Sequence, residues 1–111
     1  MSYDRGLVER VDDALGRMSA RGVRQKNVFG GRGFLLGKSA FVIVWDDGLL
    51  VKCPPSEYAV AVASPYVEPF APDGEKPMST WVVVAADAIA DDPELEDWLG
   101  RGMRALRSRG A

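Results

Sequence analysis

The chain contains no histidine. That absence rules out a serine–histidine or cysteine–histidine nucleophile pair, a histidine general base and an imidazole metal site. There is one cysteine, Cys53, so no internal disulfide can form, and a reducing compartment is favoured. As a lone metal ligand Cys53 would need carboxylates clustered at ligand spacing, and none are. No metal and no cofactor is therefore expected. Long apolar runs are missing as well, because the best candidates are broken by Asp46-Asp47 and by Pro54-Pro55. The opening Met1-Ser2-Tyr3-Asp4-Arg5 lacks the apolar core of a signal peptide. These absences together lead us to expect a cytoplasmic protein with no membrane partner.

What is present fits one domain. A chain of 111 residues with 47% hydrophobic and 27% charged residues suits a single core, whereas two cores of half that size would each be marginal. The net charge of −2 conceals an uneven distribution. Residues 1–40 carry eight Lys/Arg against four acids, residues 41–100 two against twelve, and the tail from Arg101 four arginines and no acid. A pI near 5.1 argues against a dedicated nucleic-acid binder. The arginines of the tail are expected to complement the dipole of a C-terminal helix and to stay solvated.

One segment imitates a phosphate-binding loop. Gly37-Lys38-Ser39 has the right ending, but the position five before Gly37 is Arg32, with glycines at 31 and 33 instead. After Ser39 comes Ala40-Phe41-Val42-Ile43-Val44-Trp45, which reads as a strand and not as the helix whose N-terminus would hold an anion. Glycine-rich hairpin turns explain the segment better, and the same flaw removes a dinucleotide reading.

The rest of the chain falls into short elements. Leu7, Val11, Leu15 and Met18 form an apolar stripe over a helix at 3–19, with Ser2 as its cap and Gly22 as its stop. Val23 to Phe29 reads as an edge strand. The stretch 33–36 is either a separate strand or the start of a bent one, with Gly37 as a candidate bulge. Ala40–Trp45 and Leu49–Cys53 should pair through a turn at Asp46-Asp47-Gly48. A short helix at 57–63, an extended piece at 67–70, a strand at 78–84 and a last helix starting at Asp91 or Asp92 complete the order. Within it, Trp81 and Trp98 read as core anchors and Trp45 as the more exposed tryptophan. Strands joined by hairpins and flanked by helices imply a two-layer α+β fold, one antiparallel sheet with helices on one face.

The punctuation of this order resembles that of the TfoX N-terminal domain family, the first half of the TfoX/Sxy competence regulators. The residues that carry the resemblance are Val28-Phe29-Gly30-Gly31, Gly37 before the strand 40–45, Asp46-Asp47-Gly48-Leu49-Leu50-Val51-Lys52, Pro77-Met78-x-x-Trp81-Val82-x-Val84, and the acidic helix start leading to Trp98. It runs from about Tyr3 to Arg107 and implies the element order α-β-β-β-α-β-β-α in a single-domain member. It also implies a regulatory or adaptor role through protein contacts, with a transcription regulator as the partner by family analogy. It brings no catalytic residues with it.

Arg24, Lys26 and Arg32 are the candidate binding surface, as cations along a sheet edge. They either guard the edge against aggregation or form a surface for an acidic partner, a small anionic ligand or nucleic acid. The glycine spacing yields a first test. Calorimetry with ATP or GTP should detect no micromolar binding, and Lys38→Ala should change nothing.

Overall fold

The computed structural model describes residues 3–28, 30–45, 48–71 and 80–110. Helix α1 is Arg5–Arg17. It starts two residues later than the stripe suggests because Asp4 caps it; Ser2, the expected cap, lies outside the described residues. The Asp4 carboxylate accepts from the N–H groups of Gly6 at 2.8 Å and Leu7 at 3.3 Å, satisfying donors that a helix start leaves open. The Asp4 N–H in turn donates to the carbonyl of Trp45 at 3.2 Å, which ties the helix start to the sheet. Leu7, Val11, Ala14 and Leu15 face the core. The helix stops at Arg17, and Ser19 then turns in the left-handed region at φ 57°, ahead of Gly22.

Four strands follow: β1 (Val23–Val28), β2 (Gly31–Leu36), β3 (Ser39–Val44) and β4 (Gly48–Lys52). The stretch at 33–36 thus belongs to a separate strand, one more before the next helix than the resemblance implies. A 3-10 turn at Pro55–Glu57 leads into the short helix α2 (Tyr58–Val62). Strand β5 (Val67–Pro69), strand β6 (Trp81–Ala85), a 3-10 segment at Ala86–Ile89 and the long helix α3 (Asp92–Gly110) complete the chain. All neighbouring strands are antiparallel, in the order β1-β2-β3-β4-β6-β5. The β3–β4 pair aligns Val42 with Val51, Ile43 with Leu50 and Val44 with Leu49, as the two apolar runs require. The turn residues Asp46-Asp47 lie outside the described residues, as do Met78 and Ser79 of the expected strand at 78–84.

The irregularity expected at Gly37 lies elsewhere. Gly37, at φ 65°, belongs to the turn between β2 and β3, while the register breaks where Phe34 pairs with Val42 and Leu35 with Ala40. Phe41 is therefore the extra residue of a bulge. Consecutive residues of a regular strand point to opposite faces, yet Phe41 and Val42 both enter the core beneath the helices. Helix α3 crosses β3 and β4 and packs against α1, contributing Leu95, Trp98, Leu99 and Met103 to this core. Each such large side chain stabilises the fold by about 1.5–3 kcal/mol. Leu35, Ile43 and Leu50, on the opposite face, are also buried.

Where α3 meets the bulge, Gly102 lies against Phe41, and a Cβ there would sit 2.7 Å from the Phe41 carbonyl oxygen. Gly102→Ala should therefore destabilise by about 1–3 kcal/mol despite the better helix propensity of alanine. Gly16 has no atom within 4 Å of its Cβ position, so Gly16→Ala should instead stabilise by about 0.5–1 kcal/mol. Thermal or urea denaturation of the two variants should move the midpoint in opposite directions.

Candidate functional site

Strand β1 forms one edge of the sheet and reaches beyond the helices. Only its ends, Val23 and Val28, are partly buried; the four residues between them are exposed. It keeps an unbroken register with β2 over six residues and contains no proline. The opposite edge, β5, is three residues long and ends at Pro69, which has no N–H to offer.

The register divides the three candidate cations between two faces. Arg24 pairs with Leu35 and Lys26 with Gly33, so both lie on the face away from the helices. Arg32 pairs with Asn27 and shares the other face with Gln25. There its Nε donates to Gln25 Oε1 at 3.1 Å and its Nη1 to Asn27 Oδ1 at 3.0 Å, a cross-strand clamp built of side chains that looked unremarkable in the sequence. Arg24 Nη2 donates to the Gly37 carbonyl at 2.6 Å, which lays the guanidinium across the end of β2. Lys26 makes no hydrogen bond or ion pair with any described residue. The structure therefore brings Arg24 and Lys26 together and separates Arg32 from them.

A second polar cluster joins α2 to α3 and was not visible in the sequence. Arg104 donates from Nε (3.1 Å) and Nη2 (2.9 Å) to the two carboxylate oxygens of Glu57. Arg101 Nε lies 3.3 Å from the same carboxylate without the alignment of a hydrogen bond, and its guanidinium stacks 4.5 Å from the Trp98 ring centroid. The expectation that the tail arginines are only solvated fails for these two, since the Arg101 side chain is 18% exposed. Partners 44 and 47 residues apart leave no local signal of the pairing. The hydrogen bond from Arg104 holds the Glu57 carboxyl below the usual carboxylate range, against a smaller opposing effect of burial. Cys53, fully buried nearby, has its thiol pushed up by burial and packs in the core.

The tryptophans divide differently from expectation. Trp98 is a core residue. Trp81 is only partly buried, on the face away from the helices, with the Lys52 ammonium 5.6 Å from its ring centroid. Trp45 is partly buried, and its indole N–H finds no partner among the described residues. A cleft of about 520 Å³ beside Trp98 and Tyr66 is lined by Asp87, Glu94 and Asp97. Among the described residues no group of three or more metal-ligating side chains converges, and no helix is long and apolar enough to cross a membrane. Lys38 sits in the turn before β3, with no helix opening on it.

The model of the TfoX N-terminal domain family matches residues 14–106 of the chain. No curated protein and no solved structure matches it.

The Glu57 cluster makes a pH-dependent contribution. Its carboxyl has a lower pKa folded than unfolded, so the stabilisation is full above the ordinary value near 4.5 and disappears as the pH falls through the folded value. Glu57→Gln should be less stable than the parent at pH 7 by about 1 kcal/mol or less, given the partial exposure of the pair. The difference should close on acidification below about pH 4. Urea titrations at the two pH values measure it.

Proposed function

The chain belongs to the TfoX N-terminal domain family, and on that premise we propose that it is a small regulatory or adaptor domain acting through protein contacts at its β1 edge. The observation that carries this reading is the state of β1. Four of its six residues are exposed, and one side of its backbone lacks a strand partner among the described residues. Such an edge is costly to leave open, because it invites pairing with other chains. A partner that needs it open accounts for its length and regularity. A transcription regulator is the partner class that family analogy favours.

The chemistry available supports binding over catalysis. There is no histidine, the one cysteine is buried with a raised pKa, and the carboxylates that line the cleft beside Trp98 do not converge into a metal-ligating group among the described residues. A small anionic ligand or nucleic acid is the competing occupant of the basic edge. Against it stands the division of the cations, since two on one face and one clamped on the other do not make a continuous phosphate track.

Affinity capture from native lysate, with and without nuclease, tests the reading. A protein retained after nuclease by the parent, and lost with Arg24→Glu/Lys26→Glu, is the expected result. A capture profile unchanged by the double substitution, or abolished by nuclease, overturns it. The double substitution also removes the Arg24–Gly37 hydrogen bond, so that variant should melt slightly lower, by about 0.5–1.5 kcal/mol of stability, while remaining folded.

A further inference from the structure

We infer that the β1 edge takes an extended acidic peptide as a seventh, antiparallel strand, with carboxylates facing Arg24 and Lys26; this rests on the adaptor reading and names the chemistry of its partner. Three features of the molecule lead there. The first is the shape of the open group: six residues of regular strand without proline, every second one turning its N–H and C=O outward, on a sheet whose other edge is short and ends in proline. An added strand satisfies such donors and acceptors along its whole length. A compact anion would leave most of them in water.

The second feature excludes a second copy of this chain as the occupant. Two copies of β1 continuing one sheet across a two-fold axis would place residues of the same face opposite one another. Centring the pair on Gln25 sets Arg24 against the other copy's Lys26, twice. Centring it on Lys26 or on Arg24 sets that residue against itself. Every register that uses most of the strand thus opposes cation to cation, which is destabilising. The same two positions, spaced i and i+2 on one face, are complementary to a strand with acids at alternate positions.

The third feature is that these charges are not consumed within the fold. Four helix arginines are paired with carboxylates, Arg10 with Asp92, Arg17 with Glu96, and Arg101 and Arg104 with Glu57, whereas Arg5, Arg21, Lys38 and Arg107 show no such pair among the described residues and Arg32 meets only neutral amides. Lys26 has no such contact with a described residue, and Arg24 spends one nitrogen on a carbonyl, which leaves its charge unneutralised. On the partner's side, then, alternate residues are Glu or Asp, and those between them meet the Gln25/Asn27 face.

The probe is a capped eight-residue peptide of alternating Glu and Val, carrying a fluorophore, titrated into the intact chain. Two controls are the Lys/Val peptide and the Glu/Val peptide with proline at two central valines. The acidic peptide should bind, the Lys/Val peptide should not, and proline should weaken binding at least tenfold by removing ladder donors. Arg24→Glu/Lys26→Glu should reverse the preference, favouring Lys/Val. Amide signals of Val23–Val28, and not those of Val67–Glu68, should shift, and alternate amides of β1, those facing the added strand, should gain exchange protection. Equal binding of the proline peptide, no reversal by the double substitution, or displacement by a single-stranded oligonucleotide at lower concentration than the peptide each overturns the inference. Failure of the acidic peptide, with lysate capture still lost in the double variant, removes the strand chemistry and leaves the adaptor reading standing.

Discussion

The contact between Gly102 and the bulge at Phe41 fixes how the two layers meet. A bulge gives β3 two consecutive core-facing residues, and the missing side chain on α3 lets the helix backbone settle onto the Phe41 carbonyl. With α3 seated there, its Leu95, Trp98, Leu99 and Met103 fill the space over the central strands. The seating also decides the electrostatics. It carries Asp92 and Glu96 to the arginines of α1, and Arg101 and Arg104 to Glu57 below α2. None of these pairs is strong alone, since exposed ion pairs contribute up to about 1 kcal/mol. Their geometry follows from the apolar contact and does not produce it.

That seating has a consequence at the far side of the sheet. The helix layer sits over β3 and β4, and β1 extends past it with both faces in solvent. A strand in that position adds little buried apolar area, so its regularity over six residues rests mainly on pairing with β2 and on the Arg32 clamp. The clamp holds the ribbon from the helix side, while Arg24, bonded to Gly37, holds its beginning to the end of β2. The edge is held straight by side-chain hydrogen bonds rather than by a core.

Much of this was legible in the chain. Alternation and turn residues placed the β3–β4 hairpin, the edge character of β1 and the apolar stripe of α3, because these are local patterns whose period the backbone dictates. Three things were not legible. The cap falls on Asp4, whose N–H also bonds to Trp45, and capping preference alone does not single Asp4 out among nearby polar residues. The bulge fell at Phe41 and not at Gly37, since a bulge is a property of two strands in register and only one is seen at a time in a sequence. The Glu57–Arg101–Arg104 cluster joins residues too far apart in sequence for periodicity to report. Of the candidate cations, Arg24 and Lys26 lie on the edge strand, whereas Arg32 lies on β2, the next strand in, and the β1–β2 register puts it on the other face.

On the proposed reading, the guard and the binding surface are the same two residues seen from different partners. A cation on an edge strand opposes any neighbour that brings a cation to the same place, including another copy of itself. It does not oppose a neighbour that brings a carboxylate. A chain that must stay unpaired with its own kind and yet keep an edge open has few ways to meet both demands. Proline or a short strand would close the edge to every partner, which is how β5 is treated. Charge closes it selectively, and the choice of charge at Arg24 and Lys26 then fixes the sign that a partner strand must carry.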